Sequence, residues 1–243
     1  DYELPSFFGI WSTLDDVARW DTALRRHTLL TPESLEQMWT PATLADGRDA
    51  LVNSRLYGFG FRIGDIRGHR VVWHTGASGT LVLHLLEEPL TIIVLTNLSN
   101  TAGRHGTTLG HGIAGLLRTA YTPSALLAPQ SDPSPALTQS LERLLRDVAE
   151  GHASPVMTAA HAAYYNALPP VARDPLRERL AGLTALRYIT CDDVAESGIR
   201  ITDPIARICY YRAEAGGRTR TFTYWLTADG RAAHLAITDE DDY

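Results

Sequence analysis

Lysine is absent from this 243-residue chain: all 22 basic residues are arginines, so any chemistry that requires a lysine amine is excluded. Cysteine occurs only twice, at Cys191 and Cys209. No Cys/His cluster has zinc-site spacing, and His105 and His111, which flank a Gly-containing segment, do not form one, so neither a metal nor any other cofactor is expected. The two cysteines can pair, but without a sign of secretion two buried free thiols are the expected state. Excess positive charge is also missing. Acidic residues outnumber basic ones 28 to 22, giving a net charge of −6 and a pI near 5.8, with acids gathered in the tail Asp239-Glu240-Asp241-Asp242. A nucleic-acid surface needs clustered positive charge, so nucleic acid is not an expected partner. No apolar run approaches the roughly 20 residues that cross a bilayer. No signal peptide is visible, but a targeting signal is expected upstream of Asp1 if there is one, so the localisation stays open.

What is present suffices for a sizeable core, since 44% of the residues are hydrophobic. The chain is organised around Val71-Val72-Trp73-His74-Thr75-Gly76-Ala77-Ser78-Gly79-Thr80, followed by Thr91-Ile92-Ile93-Val94-Leu95-Thr96-Asn97. A β-branched run ends in a turn of small residues and two more apolar runs follow. This reads as consecutive antiparallel strands with backbone exposed at the first bend. Upstream, Ser12 or Thr13 caps a helix with Asp15 and Asp16 in its first turn and Val17, Trp20 and Leu24 at helical spacing. Thr31-Pro32-Glu33 opens a second helix. Residues 40–56 read as a loop, and Tyr57 to Phe61 as a strand whose glycines let another backbone pass closely. Ser99 to Gly106 reads as a polar turn, and Leu109 to Tyr121 as a helix packing on the sheet through Ile113, Leu116 and Leu117. Its glycines, Gly110, Gly112 and Gly115, would permit close approach to the strands.

Thr122 to Pro135 carries four prolines and reads as a linker. Beyond it come three amphipathic helices, from Leu137 to Val148, Pro155 to Leu168 and Pro175 to Leu183. Strand-like runs follow at Ala185 to Cys191, Ala206 to Ala213, Thr219 to Thr227 and Ala232 to Thr238, with hairpin turns at Gly216-Gly217 and Asp229-Gly230. The expected organisation is therefore an α+β chain: a first unit over 1–121, a Pro-rich linker over 122–135, and a helices-then-meander α+β unit over 136–243.

Five motifs carry a more specific resemblance. Gly9-Ile10-Trp11-Ser12-Thr13-Leu14-Asp15-Asp16-Val17-Ala18-Arg19-Trp20, Leu29-Leu30-Thr31-Pro32-Glu33-Ser34-Leu35-Glu36-Gln37-Met38, Tyr57-Gly58-Phe59-Gly60-Phe61, His74-Thr75-Gly76 and Val94-Leu95-Thr96-Asn97 occur in this order over roughly the first 120 residues. Together they resemble the C-terminal half of the β-lactamase-related serine hydrolases, a superfamily of penicillin-binding proteins, class C β-lactamases, D-aminopeptidases and esterases. The second unit resembles, more weakly, the cystatin-like or NTF2-like domains appended to some members, where such modules bind or pack.

The resemblance implies a partial β-lactamase/transpeptidase-like antiparallel sheet flanked by helices. It also implies roles for four residues. His74 takes the motif position of Lys/His-Thr-Gly, and the amide of Ala77, just after the motif, is an oxyanion-hole donor. Thr75 and Gly76 contact substrate, the first through its hydroxyl and the second by letting ligand backbone approach. Imidazole lacks lysine's permanent charge, which turns the expectation towards ester, amide or aminopeptidase chemistry rather than recognition of a substrate carboxylate.

The family's nucleophilic Ser lies three residues before a Lys, and its Tyr-x-Asn also precedes the His/Lys-Thr-Gly strand. Without lysine the first motif is impossible here. Tyr164-Tyr165-Asn166 follows the strand instead of preceding it and falls in the second unit. Gly76-Ala77-Ser78-Gly79-Thr80 fails Gly-x-Ser-x-Gly at its last position, and a triad assembled from Ser78, His84 or His105 and Asp65 has no spacing to recommend it. The expectation is therefore a wall of a hydrolase site without its nucleophile. The partner would be a missing N-terminal half or another chain that carries the nucleophile, with a small acyl substrate. A non-catalytic binding or scaffold protein derived from the same fold is the alternative.

Overall fold

A computed structural model describes residues 11–52, 55–96, 104–194 and 203–239. Gly9, Ile10, Asn97, Ser99 and the tail from Glu240 lie outside the described residues. Among the described residues, two antiparallel sheets and six α-helices make an α+β arrangement.

The first sheet runs in strict chain order: β1 (Leu51–Val52), β2 (Arg55–Tyr57), β3 (Arg62–Ile66), β4 (His69–Thr75), β5 (Leu81–Leu85) and β6 (Leu90–Val94). The stretch expected to be a loop over 40–56 thus holds β1 and the start of β2, with a bridge between Thr43 and Asp49. These are short pieces whose pairing depends on the neighbouring strand, so no run of apolar residues announces them. Both faces of the sheet are covered, which is why its central strands read as nearly continuous apolar runs. On one face Val71, Trp73, Leu81, Leu83, Leu85 and Ile92 pack under α3 (Arg104–Leu117). On the other face, Phe61, Ile63 and Val72 pack with Met38 and Trp39 at the end of α2 (Pro32–Met38).

α1 (Leu14–Arg25) begins at Thr13, whose hydroxyl accepts the Asp16 amide at 3.2 Å. It is pinned to the sheet by a polar cluster. His84 on β5 is fully buried, with Nδ1 3.1 Å from Asp21 Oδ1. Thr91 donates to the same carboxylate at 2.8 Å. Arg25 donates to Thr91 and to the carbonyl of Leu90. Burial raises the proton affinity of Asp21, but the hydrogen bonds from His84 and Thr91 and the nearby charges of His84 and Arg25 outweigh it and hold the carboxyl below its ordinary range.

α3 starts earlier than its apolar pattern predicts, at Arg104, and ends at Leu117, ahead of a 3-10 turn over Thr119–Tyr121 whose Tyr121 is buried. Its contact residues also differ from expectation. Ile113 and Ala114 face the sheet, while Leu116 is 87% and Leu117 51% exposed. The helix turns about 100° per residue, so a stripe centred on Ala114 leaves Leu116 on the far side.

The second sheet has the order β10 (Ala232–Asp239), β9 (Arg218–Leu226), β8 (Arg207–Ala215) and β7 (Arg187–Asp193). Gly216 and Gly217, with φ of 57° and 73°, make the β8–β9 turn. α4 (Pro135–Ala149) buries Leu141, Leu144, Leu145 and Val148 in a core with Tyr211, Phe222, Tyr224 and Leu226. Burying each such leucine stabilises by about 1.5–3 kcal/mol relative to exposure. α5 (Ala159–Ala167) and α6 (Pro170–Leu180) complete this layer. Here α6 starts before Pro175, the residue expected to begin it, because Pro170 already occupies a first-turn position.

Cys191 and Cys209 are disulfide-bonded, contrary to the expectation of two free thiols. Strand register is the reason. The two residues lie directly opposite each other on β7 and β8, with Cα atoms 4.0 Å apart.

Candidate active site at the end of strand β4

The four residues singled out in the sequence follow one another at the end of β4 and the turn beyond it. Strand β3 stops at Arg62, opposite Trp73. From His74 onward, β4 therefore has a ladder partner only on the β5 side, where His74 faces Val82 and Thr75 faces Leu81. The other edge of His74 and Thr75 is locally open although β4 lies inside the sheet.

The turn is a tight hairpin with defined geometry. The Gly76 amide donates to the Thr80 carbonyl at 3.0 Å, and the Gly79 amide donates to the Gly76 carbonyl at 3.1 Å. Gly79 has φ of 76°, the left-handed conformation that closes three-residue hairpins. Gly76 is needed for a different reason: a Cβ there would lie 2.2 Å from Thr80 Oγ1. Within this turn, the Ala77 amide has no acceptor among the described residues, and Ala77 is exposed. An amide without an internal acceptor, on an exposed residue of a tight turn, is a candidate donor to a ligand.

Two outside contacts keep the hairpin in place. The Thr96 hydroxyl, just past β6, donates to the Ser78 carbonyl. Gly106 in the first turn of α3 sits so close to the hairpin that a Cβ would lie 2.0 Å from the Gly79 carbonyl oxygen. Thr96 was visible within the Val94-Leu95-Thr96-Asn97 motif, though not its role as a brace. Gly106 was read as the end of a polar turn, and no sequence signal separated it from the other glycines of α3.

The His74 side chain is exposed at the strand end, with its ring 6.0 Å from that of Tyr57 in an edge-on arrangement. Partial desolvation, followed by the positive charge of Arg62, lowers its proton affinity below the ordinary histidine range, against a backbone hydrogen bond that raises it. Desolvation and the Arg62 charge both disfavour the imidazolium form. Arg62 was not singled out in the sequence, and its effect on His74 arises from pairing across two strands.

The other combinations do not assemble. His84 is buried against α1 rather than near Ser78, and Asp65 accepts the Gly68 amide in the β3–β4 turn at 2.8 Å. The side chain of His105 lies outside the described set. Tyr165 is buried in the second unit, where its hydroxyl donates to the Val148 carbonyl. Among the described residues, no group of three His, Cys, Asp or Glu side chains is arranged to hold a metal, and no helix is long and apolar enough to cross a membrane. An open groove of about 760 Å³, lined by Pro32, Glu36, Pro41 and Phe59 among others, includes none of the residues from His74 to Ala77.

The site is thus a His-Thr-Gly strand end and a braced hairpin, set in an antiparallel sheet with helices on both faces. Residues 3–113 match the family model described as Beta-lactamase. No curated protein matches the chain. Among solved structures it aligns with the octameric penicillin-binding protein homologue from Pyrococcus abyssi at 13% identity and a TM-score of 0.37, over 96% of this chain and 48% of that one. The chain thus spans about half the length of that protein.

Proposed function

We propose that this chain is the later portion of a β-lactamase-related serine hydrolase. In this reading it supplies one wall of an acyl-transfer site, and the nucleophilic serine and its lysine come from polypeptide outside this sequence, either an upstream half or a partner chain. The observation that carries the reading is the Ala77 amide: unpartnered among the described residues, exposed, and held by Gly79, Thr96 and Gly106 directly after His-Thr-Gly. A donor fixed before the reaction stabilises a developing oxyanion without reorganising, and losing one such donor costs roughly 10²–10³ in rate. Hydrolysis then proceeds by attack of the external serine oxygen on the acyl carbon, its proton passing to the external lysine. The tetrahedral oxyanion facing the Ala77 amide collapses and breaks the bond to the alcohol or amine, which leaves with that proton; water then attacks the acyl-serine and releases the acid and the free serine.

The lowered proton affinity of His74 favours ester or amide substrates. The ring offers a hydrogen bond but not the fixed cation that would pair with a substrate carboxylate.

The test uses a chromogenic cephalosporin and a p-nitrophenyl ester, with the chain alone and with the polypeptide that carries Ser-x-x-Lys. The chain alone gives no burst, and a fluorophosphonate probe leaves no adduct on it. With its complement it gives a burst that the probe abolishes. Ala77→Pro removes the N–H at a turn position that proline tolerates, and lowers that burst rate roughly 10²-fold or more. An inhibitor-sensitive burst from the chain alone, or indifference to Ala77→Pro, overturns the proposal.

A further inference from the structure

We propose that the Cys191–Cys209 disulfide is a redox-sensitive clamp that holds the edge strand β7 on its sheet and, through β7, keeps the connecting segment between the two sheets docked.

The need for a clamp is visible in β7 itself. It is an edge strand, and β8 is its one partner strand among the described residues. Ile189 is its one fully buried side chain, and Tyr188 and Cys191 pack against the second core only half-buried. Its ladder with β8 is further interrupted by a register shift between Tyr188 and Thr190. Such a bulge leaves a residue without its ladder partner and weakens the pairing locally. Immediately beyond the bulge, the disulfide joins β7 covalently to Cys209, a fully buried residue of the second core. Residues 195–202, between the two strands, lie outside the described set, and the bond closes the segment that contains them.

What rests on β7 is the connecting segment, the stretch expected to be a linker. The Gln130 amide donates to the Tyr188 carbonyl at 2.8 Å, and its side-chain amide donates to the Ile189 carbonyl. The Ser124 hydroxyl donates to Asp192 Oδ2 at 2.6 Å, next to Cys191. Arg212 on β8 donates to the Ala125 carbonyl at 2.9 Å. Three of these four bonds end on β7, on both sides of its bulge. A β7 that frays from β8 therefore releases Gln130 and Ser124 together.

Opening requires a reductant, and a dithiol such as dithiothreitol suffices. Its thiolate attacks the half-buried Cys191 sulfur and the S–S bond breaks, so that Cys209 leaves as a thiolate and takes up a proton. The second thiol of the reductant then displaces Cys191, which is also released as a thiol. Two electrons pass to the protein and the reductant ends as a cyclic disulfide. The closed form belongs to oxidising surroundings, where such bonds persist.

The test is hydrogen exchange on the full chain, resolved at the Gln130 amide. It compares the oxidised protein, the same protein reduced and alkylated, and the C191A/C209A variant, with the thiol state of each confirmed by intact mass. Oxidised protein contains no free thiol. Opening the bond speeds exchange at Gln130 at least about tenfold, as expected for a local opening freed of its cross-link. Peptides from β4, β5 and β9 keep their protection. Two free thiols in protein handled under oxidising conditions overturn the clamp. So does equal Gln130 exchange in confirmed oxidised and reduced forms, or a loss of protection that includes β9, which would make the bond a support of the whole sheet. Because chemical reduction leaves the sequence unchanged, a variant that fails to fold does not decide the outcome.

Discussion

Gly106→Ala and Gly112→Ala make the same chemical change on one helix, and the structure gives them opposite signs. At Gly106 the new Cβ would lie 2.0 Å from the Gly79 carbonyl oxygen and 2.9 Å from its carbon. Both are backbone atoms of the hairpin that holds Ala77, so neither a rotamer change nor a flexible side chain can relieve the contact. Overpacking of this kind costs about 3 kcal/mol, from which about 1 kcal/mol of improved helix propensity is recovered, leaving a net loss of about 2 kcal/mol. At Gly112 nothing lies within 4 Å of the added Cβ. Only the propensity gain remains there, and the protein should become more stable by up to about 1 kcal/mol. Urea denaturation followed by tryptophan fluorescence measures both. Displacement of the hairpin should also lower the burst rate of the complemented enzyme in Gly106→Ala and leave it unchanged in Gly112→Ala. If the two variants shift stability in the same direction, the close approach of α3 to the hairpin is not as described.

Acid should destabilise the protein through His111. Burial, with the nearby charge of Arg55 second, pushes the pKa of this residue from 6.5 down to about 4. The unfolded chain therefore takes up a proton that the folded chain refuses, and the stability present above pH 6.5 is lost as pH falls towards 4. The loss is up to about 3 kcal/mol at roughly 1.4 kcal/mol per unit. Denaturation midpoints measured from pH 7 to 4.5 should fall more steeply in the wild type than in His111→Gln, and equal slopes would refute the assignment. In the second unit, Arg220 is 5% exposed. It donates to Asp239 at 2.6 Å and to the carbonyls of Arg179 and Ala215. Arg220→Met takes this donor from the two carbonyls and leaves Asp239 to Arg179 and Arg218, and should cost about 2 kcal/mol, read from the same denaturation curves. Thr96→Val removes only the hydroxyl that braces Ser78; it should slow the complemented enzyme while shifting stability by about 1 kcal/mol. An unchanged burst rate would show that the brace does not position Ala77.

Much of this molecule was legible in the linear sequence because the signals are local. Val71 to Trp73 and Thr91 to Val94 are runs that only a sheet covered on both faces can bury. Thr13 and Thr31 cap helices through contacts three residues away. The absence of lysine rules out Ser-x-x-Lys whatever the fold, and the order of five short motifs carried the family resemblance. What remained hidden depends on residues that are distant in the chain. β1 and β2 are too short to announce themselves without a partner strand. Arg62 reaches His74 only because β3 ends opposite Trp73. Gly106 differs from Gly112 only in facing Gly79 rather than open space, a distinction set by how α3 seats on the hairpin. Cys191 and Cys209 meet because β7 and β8 pair in one particular register, and a shift by one residue would have put the two sulfurs on opposite faces of the sheet. Residue type and spacing thus determined the elements, their caps and the chemistry the chain lacks. Register and the close approach of backbones, which no local pattern encodes, decided how the hairpin after His74 is braced and which two sulfurs are joined.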